Sequence, residues 1–196
     1  DSSDTPDLQR YITPYDQNWS YTPDHFSLAS STFKNYQEKN FTYMSSDLNM
    51  SSDLNITIIA QKFDNNTTKN YNSACYAKAT DYNISYDALT ISPTNALTQI
   101  KFLETNTSTS DTSPINSKIT LLDVNKTIFG TDNNGTAKLN LKLNFDRNST
   151  KVVNPFKLTL RDINVTDTDT ITGTSDINQS VLFYYGRVYS TDYRGP

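Results

Sequence analysis

The 196-residue chain is poor in reactive side chains: it has one histidine, His25, and one cysteine, Cys75. A Ser-His-Asp arrangement would have to use that one His, and a His- or Cys-rich metal site has no set of ligands to draw on. His25, in Pro23-Asp24-His25-Phe26, reads as a packing or hydrogen-bonding residue rather than a base. Cys75 has no internal partner for a disulfide, so it reads as a small buried hydrophobe, with pairing to a cysteine outside this chain as the alternative. The five glycines, at positions 130, 135, 173, 186 and 195, are too scattered for a phosphate-binding loop.

Long apolar runs are also missing. No stretch approaches the roughly 20 residues that a membrane-spanning helix needs, and Asp1-Ser2-Ser3-Asp4 is not a signal peptide. The expectation is therefore a fragment of a larger exported protein whose leader lies elsewhere. A net charge of −4 and a pI near 4.9 supply no basic footprint for nucleic acid or an anionic membrane. Helical periodicity is scarce, and only 37–44 and 87–89 suggest a helical turn.

Period-two alternation is abundant. Ala137-Lys138-Leu139-Asn140-Leu141-Lys142-Leu143-Asn144-Phe145 alternates throughout and predicts a strand with one face on a core. Similar strands are expected over 54–60, 97–103, 118–122, 156–165 and 180–189, with weaker candidates at 71–79 and 81–90. Strand-sized segments between Asn/Asp/Ser/Thr turns predict an all-β, antiparallel β-sandwich with an immunoglobulin-like layout. It is expected over 46–196, with 1–45 as an irregular N-terminal arm or first strands.

One phrase recurs twelve times: an acid, any residue, Asn, any residue, Ser or Thr. The Asn residues are Asn18, Asn40, Asn49, Asn55, Asn66, Asn83, Asn106, Asn125, Asn134, Asn148, Asn164 and Asn178. Each has Asp or Glu two places earlier, from Asp16 and Glu38 to Asp162 and Asp176. Asn-x-Ser/Thr is the N-glycosylation acceptor, but that triplet asks for no acid. With about one residue in nine acidic, the coincidence would arise on the order of once in 10¹² tries. Asn65, Asn116 and Asn140 lack the full phrase and are expected to stay bare. Several acceptors are expected just beyond strand ends, because a loop can be gripped in extended form and a paired strand cannot. Asp162-Ile163-Asn164-Val165-Thr166-Asp167-Thr168-Asp169 could offer calcium ligands, with a solvated loop as the plainer reading. No other cofactor is expected.

The extended phrase resembles the acceptor of the bacterial oligosaccharyltransferase typified by PglB of the epsilonproteobacteria. The resemblance implies that the enzyme pairs an arginine with the acid, bonds the Ser/Thr hydroxyl and activates the Asn amide. It also implies passage through the periplasm to the cell surface or beyond. A second resemblance lies in Tyr21-Thr22-Pro23-Asp24-His25-Phe26-Ser27-Leu28, Phe41-Thr42-Tyr43-Met44, Lys69-Asn70-Tyr71 and Phe183-Tyr184-Tyr185-Gly186-Arg187-Val188. These segments are similar to the MshQ-like family of exported proteins encoded with mannose-sensitive haemagglutinin type IV pili, up to Val188, where Tyr189-Ser190-Thr191-Asp192-Tyr193 departs from it.

The expectation is a non-catalytic, N-glycosylated surface domain of adhesin type, with pilus or appendage proteins, or further copies of itself, as partners. A subunit of a sheath, filament or surface layer is the alternative, and a carbohydrate-binding module is a third. Partner contacts are expected on the stretches free of acceptors, 84–105 and 179–196, with Phe183, Tyr184, Tyr185, Tyr189 and Tyr193 as anchors, unless the alternating set fills the core instead.

Overall fold

The structure, a computed structural model, describes residues 22–105, 109–116, 118–132 and 134–186. Ten strands run in order: β1 (His25–Lys34), β2 (Thr42–Tyr43), β3 (Ser52–Gln61), β4 (Thr80–Tyr86), β5 (Gln99–Glu104), β6 (Thr109–Pro114), β7 (Lys118–Val124), β8 (Thr136–Asn144), β9 (Phe156–Asp167) and β10 (Thr172–Tyr184). They form two five-stranded sheets, ordered β1-β3-β8-β5-β6 and β2-β10-β9-β4-β7. β2 runs parallel to β10, a departure from the all-antiparallel expectation; the other strand pairs described are antiparallel.

Alternation sets the facing. In β3, Leu54, Ile56, Ile58 and Ala60 point inward, and in β8 so do Ala137, Leu139, Leu141 and Leu143. Lys138 is exposed, and Asn140 and Lys142 are half-buried on the outer face. β9 breaks step once: Phe156, Leu158 and Leu160 face the core, Arg161 and Asp162 both turn outward, and Ile163 and Val165 resume inward. That extra residue is a bulge, visible as a register shift between Ile84 and Tyr86 on β4.

Aromatic rings fill both ends of the space between the sheets. At one end the Phe145 ring stands edge-on to Phe156 and Phe183, at 5.0 and 4.9 Å. At the other, Tyr71 packs edge-on to Phe26 and Phe129, at 5.6 and 4.9 Å. The Tyr71 hydroxyl donates to Asp167 Oδ2 at 2.8 Å; burial first and that carboxylate second push its ionisation upward, so it stays a donor.

The sheets meet along β1 and β10 through side chains rather than a ladder. Phe33 N donates to Gln179 Oε1 at 2.6 Å, Gln179 Nε2 donates to Ser31 O at 2.8 Å, and Leu28 N donates to Ser175 Oγ at 3.0 Å. Backbones come close enough here that only glycine fits: a Cβ on Gly173 would stand 1.8 Å from Phe26 O.

Two expectations change. The 71–79 segment is turns, held by Ala77 N to Asn72 O and Ala74 N to Asn72 Oδ1, and Cys75 within it is exposed rather than buried. Of the two readings of 1–45, first strands is the one its described part fits, since β1 joins one sheet and β2 the other. Pattern reading also missed β6, whose Thr-Ser-Asp-Thr-Ser-Pro sequence has no apolar alternation and pairs along β5 as an edge.

Leu141→Ala should cost about 2–5 kcal/mol, read as a lowered midpoint in denaturant unfolding. Gly173→Ala should destabilise the β1–β10 seam, seen as faster amide exchange at Leu28 and Phe33 than in the parent chain; unchanged exchange would contradict the close approach.

Candidate glycosylation sites

Asn18 and Asn106 lie outside the described residues. Of the other ten acceptors, Asn40, Asn49, Asn55, Asn66, Asn125, Asn134 and Asn178 are exposed, and Asn83, Asn148 and Asn164 are half-buried. None is buried. Asn144, which lacks the phrase, is fully buried: its Nδ2 donates to Tyr43 O and Met50 O, and its Oδ1 accepts from Phe145 N.

The placement differs from the expectation of strand ends. Asn125 does follow a strand, β7, and caps the next turn by accepting from Thr127 N at 3.0 Å. Asn148 follows β8, and its Oδ1 accepts from Thr150 N, Thr150 Oγ1 and Lys151 N. Asn178, at φ 49°, occupies a bulge inside β10 rather than lying beyond its end. Asn55, Asn83 and Asn164 sit inside paired strands.

The phrase has a spacing of two, so in a strand its acid, Asn and hydroxyl share one face while the intervening residues face the core. Leu54 and Ile56, Tyr82 and Ile84, and Ile163 and Val165 are those buried intermediates. Asn83 pairs directly with Asn164 across β4 and β9. Ser85, the hydroxyl of one phrase, donates to Asp162, the acid of the other, at 2.7 Å. Thr120 Oγ1 donates to Asn83 Oδ1, and Asn164 Nδ2 donates to Thr174 Oγ1.

The acids have varied surroundings. Asp47 Oδ1 accepts from Asn49 N at 2.9 Å, and Asp64 Oδ1 from Asn66 N at 3.0 Å, so at these two places the acid also closes an Asx-turn. Asn66 Nδ2 donates to Asp64 Oδ2 as well, and these bonds hold the Asp64 carboxyl below the usual range. Lys34 does the same for Glu38, by hydrogen bond and charge. Burial lifts Asp53, against the opposing pull of Lys142.

The hydroxyls are more deeply placed than the Asn residues. Thr42, Ser51 and Thr68, which close the phrases of Asn40, Asn49 and Asn66, are all buried. Thr42 is used by the fold, accepting from Tyr36 N at 2.9 Å. Ser51 Oγ and Thr68 Oγ1 bond nothing, and a buried unpaired hydroxyl costs about 1–3 kcal/mol.

Among the expected interface residues, Phe183 is fully buried, stacked on Phe156 at 5.7 Å, so it fills the core. Tyr185 packs on the core, and its hydroxyl donates to Asn148 O. Tyr184 stays half-buried against Phe41, whose ring also meets exposed Tyr43 at 4.9 Å. Tyr189 and Tyr193 lie outside the described residues. The proposed calcium stretch is largely strand: Asp167 is spent on Tyr71, Asp169 N and Ile171 N, and among the described residues no group of three or more His, Cys, Asp or Glu comes together. No helix among them is long and apolar enough to cross a membrane.

Residues 21–181 match the family model described as DUF6701, third domain. No curated protein matches the chain. Three solved structures are similar at low level. AvmM, which catalyses macrocyclization in alchivemycin A biosynthesis, is 9% identical with a TM-score of 0.38, over 88% of this chain and 94% of that one. The collagen-binding subdomain of the Enterococcus faecalis surface protein ACE is 5% identical with a TM-score of 0.27, over 79% and 94%. A cohesin module from a Clostridium perfringens family 33 glycoside hydrolase is 14% identical with a TM-score of 0.25, over 82% and 99%. These scores carry no functional argument.

In the sugar-free chain, NMR titration should find Asp64 below and Asp53 above the ordinary carboxylate pKa of about 3.9. The sign for Asp64 follows from its lowered value. Its contribution to stability is present above the unfolded pKa and is lost as pH falls through the folded one, so the stability gap between parent and Asp64→Asn should close on acidification.

Proposed function

The chain belongs to the DUF6701 family, matching its third domain, and from that premise we propose that it is a non-catalytic, N-glycosylated β-sandwich of an exported surface protein, adhesin-like and associated with a pilus or another appendage. One observation carries the reading: every described Asn with the acid-bearing phrase reaches solvent, while the fully buried Asn144 lacks the phrase. MshQ-like proteins carry DUF6701 domains, which supports the appendage association. Sugars at Asn55 on one outer sheet face, and at Asn83 and Asn164 on the other, would cover those faces against contact with other chains.

Partner contact, with an appendage protein or a further copy, is assigned to the aromatic corner of Phe41, Tyr43 and Tyr184. Beside it lies an open cavity of about 690 Å³ lined by Met44, Met50 and Arg147 among others. Aromatic side chains at such a surface supply large contact area at low entropic cost.

Glycopeptide mapping of native material should find most of the twelve phrases occupied, and Asn65, Asn116 and Asn140 bare. Finding only a few occupied would remove the proposal. Asp123→Asn is the sharper variant. Asp123 is exposed at φ 53°, a backbone that Asn tolerates, so the fold should persist while Asn125 loses its sugar. Tyr43→Ser with Tyr184→Ser should weaken assembly or adhesion at an unchanged sugar load.

A further inference from the structure

We infer that sugar reaches Asn40, Asn49, Asn55, Asn66, Asn83 and Asn164 before the sandwich closes, whereas the folded chain presents a complete acceptor phrase at Asn125. The inference rests on the glycosylation proposed above. Transfer forms a bond from Asn Nδ2 to the anomeric carbon of a lipid-diphosphate-linked sugar. The bond from that carbon to the diphosphate breaks, the lipid diphosphate leaves with the electron pair, and the amide proton passes to a base of the transferase. The enzyme must hold acid, amide and hydroxyl together while this happens, so all three must be within its reach.

Among the described acceptors of the folded chain they rarely are. β3 lies between β1 and β8, β4 between β9 and β7, and β9 between β10 and β4, so the backbones around Asn55, Asn83 and Asn164 are paired on both sides. Drawing such a segment into another protein's groove means dismantling a central strand. The phrases of Asn83 and Asn164 also occupy each other, through Ser85 to Asp162. For Asn40, Asn49 and Asn66 the amide is exposed but the hydroxyl, on Thr42, Ser51 or Thr68, is buried. At Asn125 all three groups, with Asp123 and Thr127, are exposed; Asn134, Asn178 and Asn148 come next, each with two exposed groups and one half-buried, Thr136, Ser180 and Asn148 itself.

Ser51 and Thr68 point the same way independently. Each buries a hydroxyl that bonds nothing, so the finished fold has no use for the oxygen. Recognition of the open chain supplies one.

The test treats the folded, sugar-free chain with a purified acid-requiring bacterial oligosaccharyltransferase and lipid-linked oligosaccharide, beside Gly173→Ala and synthetic peptides spanning each phrase. Peptides should accept sugar. Among the described acceptors the folded chain should accept it first at Asn125, with transfer at the six named sites slower than to their peptides by on the order of 10³ or more, the reciprocal of a typical unfolded fraction. Gly173→Ala should raise transfer at those six and leave Asn125 unchanged. Comparable transfer to peptide and folded chain at Asn55, Asn83 or Asn164 overturns the inference and leaves the glycosylation proposal standing; failure of the peptides overturns both. Ser51→Ala and Thr68→Val should leave the melting temperature of the sugar-free chain unchanged or higher while emptying Asn49 and Asn66 in chains made with the transferase present. A lowered melting temperature would show that the hydroxyls serve the fold, and would overturn the inference.

Discussion

Burial of alternating apolar side chains between two sheets is the interaction on which the rest of the molecule depends. Leu54, Ile56, Leu139, Leu141 and Leu143 from one sheet meet Tyr82, Ile84, Leu158, Leu160 and Val165 from the other, all nearly inaccessible to water. With one cysteine and no metal cluster among the described residues, this contact and the ladders it orders carry the stability. The side-chain bridge from β1 to β10 follows from it: the strands are brought side by side by the core and then joined by Gln179 and Ser175.

The same alternation reconciles two demands on one stretch of chain. An acceptor phrase needs three polar groups at spacing two, and a half-buried strand needs an outward polar residue at every second place. Asp53-Leu54-Asn55-Ile56-Thr57 satisfies both, with the core taking the residues that the phrase leaves free. In turns the reconciliation is different: Asp47 and Asp64 bond the backbone two residues on, as Asx-turns do, and Asn125 and Asn148 repeat that bond toward Thr127 and Thr150. Local folding and acceptor chemistry thus favour the same residues at the same spacing. Ser51 and Thr68 are where the two part, since the fold buries their hydroxyls without using them.

Legibility tracked how far each feature depends on local sequence. Regular alternation made β3 and β8 readable, and β9 on either side of its bulge, because each stretch reports its own facing. β1 was not readable: His25-Phe26-Ser27-Leu28-Ala29-Ser30 breaks its pattern at a bulge, and its register shifts between Leu28 and Ser30. β6 owes its existence to pairing with the preceding β5 rather than to any alternation of its own, and the parallel β2 to β10, far along the chain. The 71–79 segment misled because Tyr71 and Ala77 are buried like strand residues while the backbone between them turns on Asn72.

By itself the sequence determined the all-β class, the facing of its most regular strands and the twelve acceptor phrases, because each is written in spacings of two residues that need no distant partner. Tertiary structure alone decided which phrases lie in loops and which are locked between strands. It paired Asn83 with Asn164, eighty-one positions apart (164 − 83), buried Thr42, Ser51 and Thr68, and sent Phe183 to the core while leaving Tyr184 beside Phe41. The physical reason is that accessibility belongs to the packed whole: a strand edge, a covering sheet or a neighbouring ring comes from chain that no local window contains.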